Sequence, residues 1–344
     1  MVEAERQRLI DLARAQGATD DEVAEALATG ELGALALERA LYPRGNLVPF
    51  TDAVAEAGID PDDASRFFRS LGFPDPSLNP PLLSPPEVEL LKIMVGVGLE
   101  LLGRDATDQI ARVVGSATFR IAESVVDAFR LQAEVPQQEA GVAYSEIATG
   151  FVDVAKEIVP KFGSAIGALF MRHMIEVIYS NWSVDEGGGA ITLQRTVGFA
   201  DLVGYTASAT ALSGRELAAI VDRFEERVAT AVARHDGRLV KLIGDEAMFV
   251  ADSPDIGCAI AEDLVGEFGE GIRVGLAQGS VVTLRGDYYG EVVNLASRLT
   301  AASAPGTVLV AASVTSDSQA ERFEFAGDFV LKGFRDPVSA YRLR

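Results

Sequence analysis

The chain has 344 residues, 48% hydrophobic and 24% charged, which is longer than one ordinary domain and apolar enough to fill two cores. Its 51 acidic residues against 30 lysines and arginines give a formal net charge of −21, which argues against a sequence-independent hold on nucleic acid or an anionic membrane. The one cysteine, Cys258, has no intrachain disulfide partner, as expected for a protein of the reducing cytoplasm.

The opening segment, MVEAERQRLIDLARAQG, carries charge throughout and reads as an amphipathic helix rather than a secretion signal. Thr19-Asp20-Asp21-Glu22 is a capping-box pattern, with Gly17 closing the helix before it. Thr51 to Ala57 and Asp62 to Leu71 read as two short helices, and a proline-rich stretch from Pro74 to Pro86 precedes longer helices over Glu87 to Tyr179. The apolar run Leu90 to Leu102 is broken by Lys92 and Glu100 and is too short to span a bilayer, so it is expected to be a core helix and no transmembrane segment is expected. Ala55 to Phe73 has a helix-turn-helix look, but its second helix would start on Asp60-Pro61-Asp62-Asp63 and meet phosphates with acid; a packed helical pair is expected instead.

Residues 1–180 are thus expected to form an all-helical domain. A flexible linker over 181–194, containing Gly187, Gly188 and Gly189, leads to a second domain over 195–344. There the texture alternates: strand Thr196 to Ala200, helix Gly214 to Arg234, strands Arg238 to Ile243 and Ala247 to Ala251, helix Asp255 to Phe268, strand Arg273 to Ala277, helix Glu291 to Ser303 and strand Thr307 to Val310. The fold class is α+β, with a ferredoxin-like βαββαβ core and added edge strands behind an all-α domain.

Four segments of this second domain carry chemistry. Phe199-Ala200-Asp201-Leu202-Val203-Gly204-Tyr205-Thr206 ends a strand in an Asp, and Lys241-Leu242-Ile243-Gly244-Asp245-Glu246 joins two strands by a tight turn. In a ferredoxin-like sheet Asp201 and Asp245 converge at one end, and paired carboxylates suit hard divalent cations. Gly286-Asp287-Tyr288-Tyr289-Gly290-Glu291-Val292-Val293-Asn294-Leu295-Ala296-Ser297-Arg298 runs from a loop into a helix, where Asn294 and Arg298 share a face. Leu331-Lys332-Gly333-Phe334-Arg335 adds cations near the C-terminus. Lys241 stands in a strand apolar on both faces, so it is expected to be buried and to need a partner or ligand. Four residues of strand put Lys241 about 13 Å from Asp245, too far to grip the same part of one nucleotide. A composite site follows, at a homodimer interface, with carboxylates from one chain and Lys241 and the Asn294–Arg298 face from the other.

Singly, each of these residues has an ordinary reading: a strand-end Asp is usually a turn former, and a helix Arg a solvated charge. Together and in this order, the four segments resemble the class III nucleotidyl cyclases over about the last 150 residues, matching F-x-D-L-x-G-[FY]-T, K-x-x-G-D and G-D-x-[YF]-G-x-x-V-N-x-A-S-R. The resemblance implies an adenylyl cyclase that turns ATP into 3′,5′-cyclic AMP and pyrophosphate. It implies two Mg²⁺ or Mn²⁺ ions per site on Asp201 and Asp245, with Leu202 beside them, and an adenine-reading pair in Lys241 and Asp287. It further implies that Asn294 orients the ribose and that Arg298 stabilises the transition state. Lys332 matches the triphosphate-contacting lysine, with Arg335 as its rival. The short Val281 to Tyr288 segment resembles members with a reduced dimerisation arm.

The helical half resembles the regulatory region of autoinhibited bacterial adenylyl cyclases, which implies inhibition and a place for a regulatory ligand. His173, ahead of the linker, is the candidate pH switch, weighed against a solvated helix histidine. A guanylyl cyclase and a catalytically silent nucleotide-binding sensor are the competing readings; Lys241 with Asp287 speaks against the first, the full set of core positions against the second. Gly244-Asp245-Glu246 is also similar to the diguanylate cyclase motif, but Ile243 replaces that family's first glycine and Ala247 its aromatic.

Overall fold

The computed structural model describes residues 3–43, 45, 47–181, 192–205, 213–284, 286–315 and 320–344. It divides into two compact units, Met1–Trp182 and Ser183–Arg344.

The first unit is built from helices α1 (Glu3–Ala15), α2 (Asp20–Thr29) and α3 (Leu32–Leu41), strand β1 (Val48–Pro49), helices α4 (Phe50–Ala57) and α5 (Pro61–Ser70), and strand β2 (Leu82–Leu83). Helices α6 (Pro85–Leu91), α7 (Gly98–Leu102), α8 (Arg104–Phe129), α9 (Val135–Glu139) and α10 (Tyr144–Asn181) follow. The expected capping box is present: Thr19 N–H donates to Glu22 Oε2 at 2.8 Å and Glu22 N–H to Thr19 Oγ1 at 3.4 Å. One apolar cluster joins Leu9, Val23, Leu35 and Ala36 to Ala148 and Val152 of α10; a second gathers Phe50, Phe67, Phe68, Leu83, Leu91, Val95 and Ala111.

Two expectations for this unit need correction. Besides its helices it holds a two-residue antiparallel pair, Val48 opposite Leu83 and Pro49 opposite Leu82. Leu90 to Leu102 is not a core helix: α6 passes through a widened π-helical stretch, Lys92–Val97, into α7. Leu91, Val95 and Gly98 are buried, while Ile93, Val97, Leu101 and Leu102 are exposed. Spacings of four and three residues make that a single buried stripe, which an apolar run alone cannot distinguish from burial all round. The pair α4 and α5 packs into the second cluster, with Asp60 capping α5 through the N–H groups of Asp62 and Asp63. No helix among the described residues is long and apolar enough to cross a membrane.

Of the expected linker, Asn181 ends α10 and residues 192–194 already belong to a strand. The remainder, including Gly187, Gly188 and Gly189, lies outside the described residues, as does Thr206 of the first motif.

The second unit contains β3 (Thr192–Leu202), α11 (Gly214–Arg234), β4 (Arg238–Ile243), β5 (Glu246–Ala251), α12 (Pro254–Phe268), β6 (Ile272–Leu284) and β7 (Asp287–Tyr289). It ends with α13 (Glu291–Ala302), β8 (Val308–Ala311), the single-turn α14 (Ala312–Thr315), β9 (Phe323–Phe329) and β10 (Val338–Leu343). The strand order is β4-β5-β3-β6-β8-β10-β9, with β7 added to the end of β6. Its first four strands give the ferredoxin-like βαββαβ arrangement, antiparallel throughout.

Alternation along the strands divides the core between the two faces of the sheet. Ala247, Phe249, Val274, Leu276, Val308 and Val310 pack with Phe224 and Val228 of α11 and Ile260 and Leu264 of α12. Val197, Phe199, Met248, Val250 and Leu309 pack on the other face with Ala296 and Leu299 of α13. Gly275 permits that second packing: a Cβ there would lie 2.3 Å from the Thr300 nitrogen and 2.5 Å from the Ala296 carbonyl oxygen. Thr300 Oγ1 closes the contact by donating to the Phe199 carbonyl at 3.2 Å.

Candidate active site

Strand β3 runs through the middle of the sheet and delivers Asp201 at its end. Cross-strand register sets Asp201 opposite Glu246 of β5 on one side and Arg273 of β6 on the other. A left-handed Gly244, φ +64°, turns the chain from β4 to β5 and brings Asp245 alongside, where its carbonyl accepts the Leu202 N–H at 3.0 Å. Asp201 and Asp245 therefore do converge at one end of the sheet. Leu202 packs its side chain against the core, so only its backbone could serve a ligand.

Three carboxylates within such a small region repel one another. Burial first, and then the charges of Asp201 and Asp245, push the Glu246 carboxyl above its ordinary value; Arg273 and Arg298 act in the opposite direction. A divalent cation would relieve this crowding, and the donors are the hard oxygens that Mg²⁺ and Mn²⁺ prefer, so the residues fit the metals expected from the sequence. Among the described residues no group of three or more His, Cys, Asp or Glu side chains stands in metal-holding geometry.

Lys241 lies on β4, one of the two edge strands of the sheet, and its side chain is 36% exposed. The expected burial is therefore only partial. A register shift between Leu239 and Lys241 sets Lys241 opposite Met248, on the face that α13 covers. The expected need for a partner is met, since Lys241 Nζ donates to Asp287 Oδ2. Asp287 is fixed in turn by its Oδ1, which accepts the Tyr288 N–H at 2.8 Å, and by the hairpin pairing of Asp287 with Leu284.

Asn294 and Arg298 lie one turn apart on α13 and are both exposed, on the side away from the buried Ala296, Leu299 and Thr300. Among the described residues neither side chain takes part in a hydrogen bond or ion pair, although the Arg298 charge is felt at Glu246. Lys332 and Arg335 are exposed in the turn between β9 and β10, and no hydrogen bond or ion pair joins them to the other candidates among the described residues. His173 is in the first unit, exposed on α10, with Nδ1 3.2 Å from Glu176 Oε2 of the same helix.

Two charged residues were passed over in the sequence. Glu246 read as the end of a motif and Arg273 as the start of a strand. The available signal was a cation opening the otherwise apolar run Ile272-Arg273-Val274-Gly275-Leu276 in a strand expected near Asp201.

The family model described as "Adenylate and Guanylate cyclase catalytic domain" matches residues 261–344. An uncharacterised protein of Mycobacterium tuberculosis is 33% identical over 98% of this chain and 90% of its own. An adenylate cyclase of Glutamicibacter nicotianae is 30% identical over 85% of this chain and 77% of its own. A pH-sensitive adenylate cyclase of Mycobacterium tuberculosis is 30% identical over 99% of this chain and 88% of its own. The chain belongs to the adenylate and guanylate cyclase family.

Proposed function

We propose that the chain is an adenylyl cyclase converting ATP to 3′,5′-cyclic AMP and pyrophosphate, a cytoplasmic homodimer whose helical half restrains its catalytic half. The observation that carries the choice of purine is the Lys241–Asp287 pair, formed between residues 46 apart in sequence. An ammonium donates to an adenine ring nitrogen while a carboxylate accepts from the exocyclic amine. Guanine presents an oxygen in place of that amine, and an ionised Asp287 repels it. Relatives named adenylate cyclase support the same reading.

Asp201 and Asp245, with the Leu202 carbonyl, would hold two Mg²⁺ or Mn²⁺ ions, whose Lewis acidity eases formation of the 3′-alkoxide and spreads charge from the phosphate oxygens. Asn294 orients the ribose so that its 3′-oxygen lies in line with the α-phosphorus, and Arg298 meets the charge that develops there. Lys332 or Arg335 steadies the triphosphate. The lack of side-chain partners for Asn294 and Arg298 among the described residues suits groups whose partner is a nucleotide completed by a second copy of the chain. In the helical half, His173 is the group whose protonation would tie restraint to pH, with a regulatory ligand as the other route of control; the name of one relative, a pH-sensitive adenylate cyclase, supports the pH route.

The deciding experiment is cyclic AMP production from ATP and Mn²⁺ by the full chain beside Asp201→Ala. Loss of turnover in the variant is expected. Equal turnover in both would overturn the assignment.

A further inference from the structure

Asp201 is already engaged. Its Oδ2 accepts from Arg273 Nε at 2.7 Å and lies 2.6 Å from Nη2, so the guanidinium grips a single carboxylate oxygen with two nitrogens. The third nitrogen, Nη1, donates to the Ala301 carbonyl at 3.1 Å, among the last residues of α13. The carbonyls of a last helical turn lack intrahelical partners and carry partial negative charge, so a cation is favoured there. Arg273 thereby joins the carboxylate on β3 to the end of the helix that bears Asn294 and Arg298.

We infer that Arg273 is an internal counter-ion of Asp201, a positioning residue that an incoming divalent cation must displace from Oδ2 or share that oxygen with. The inference rests on the reading of Asp201 as a metal ligand. Two physical effects of Arg273 oppose each other. The guanidinium pre-orients the carboxylate, which favours metal binding, and its positive charge repels the metal, which disfavours it. Aspartate has two side-chain torsions, and register with β5 and β6 already fixes its backbone, so the orienting benefit is small. The repulsion comes from a full charge in direct contact with the ligand oxygen, in a half-buried place where screening is incomplete. Repulsion therefore dominates, and Arg273 raises the metal concentration needed to load the site.

The test measures Mn²⁺ binding to the full chain without nucleotide, by electron paramagnetic resonance of free Mn²⁺, at fixed pH and ionic strength. Arg273→Gln is expected to tighten binding by about tenfold, the order that one nearby partly screened charge supplies. Arg273→Lys, which keeps the charge, is expected to stay within about threefold of the unaltered chain. An Arg273→Gln affinity equal to or weaker than that of the unaltered chain overturns the inference while leaving the metal assignment intact. Mn²⁺ binding that Asp201→Asn leaves unchanged overturns both. A second readout needs no folded Gln variant: the Arg273 Nε–H resonance, assigned by its loss in Arg273→Lys, is followed by NMR as Mg²⁺ is added. It is expected to shift over the same concentration range as metal binding, and a resonance unmoved at saturation overturns the inference.

Discussion

Lys241 of β4 donates to Asp287 of β7 across 46 residues of intervening chain, and that carboxylate is held from its other side by the Tyr288 N–H. The pair is pre-formed, so a base that satisfies both groups loses little to ordering. Substituting either residue with Ala should lower kcat/KM for ATP by about 10- to 150-fold, the value of a charged hydrogen bond. Substituting both should also bring the rates with ATP and GTP closer together. Parallel assays of cyclic AMP and cyclic GMP formation check this, and unchanged selectivity in the double variant would sink the base assignment.

Asn294→Ala and Arg298→Ala are expected to act on kcat more than on KM. Loss of a group that acts mainly on the transition state costs on the order of 10²- to 10³-fold in rate. A raised KM with kcat untouched would instead mark both as contacts made equally in the ground and transition states.

Gly275→Ala should reach the same helix from beneath. With its nearest neighbours backbone atoms of α13 and the Thr300 side chain, the added methyl forces helix and sheet apart, at a cost of about 1–3 kcal/mol. A lower melting temperature should accompany a fall in kcat, since Asn294 and Arg298 move with α13. Gly266→Ala, on α12 with nothing within 4 Å of its new Cβ, serves as the contrast and should stabilise by about 0.5–1 kcal/mol.

Cys258 gives the pH prediction. Burial against α11 and the sheet pushes its thiol up from 9.0 to about 12, more than the nearby Arg322 lowers it. A pKa raised on folding contributes stability that is fully present below pH 9 and lost as pH climbs towards 12. The loss should be about 1.4 kcal/mol per pH unit above 9. Melting curves between pH 8 and 11 should show that slope, and Cys258→Ala should flatten it.

Restraint by the helical half predicts that a chain beginning near Gly189 makes more cyclic AMP per mole than the full chain. A shorter chain no more active than the whole would count against restraint.

Much of this was legible because local signals agreed. Ser213 and Glu216 form a capping box that fixes where α11 starts, and β4 runs over the residues whose apolar character marked it. The convergence of Asp201 and Asp245 followed from topology, since a βαββαβ order places the first strand beside the hairpin. Other features had no local signature. An edge strand and a central strand can share the run Leu239-Val240-Lys241-Leu242-Ile243, because burial depends on what lies beyond, so the half-exposure of Lys241 was hidden. Strand β6 continues to Leu284, past the polar Gln278 and the small Gly279 that ended its apolar run, because β3 and β7 pair with its outer part. Arg273 was missed because its meaning comes from register: only alignment of β6 with β3 reveals the carboxylate opposite.

The strand order has a consequence for how such an enzyme can change over generations. Lys241 sits on β4 at the margin of the sheet, whereas Asp201 sits on β3, hydrogen-bonded along both sides. Margins tolerate replacement better than central strands, so under the proposed roles the purine-reading Lys241 is more open to drift than Asp201, whose strand is held by the stability of the whole domain. A lineage on this scaffold can exchange one nucleotide for another without first dismantling its catalyst.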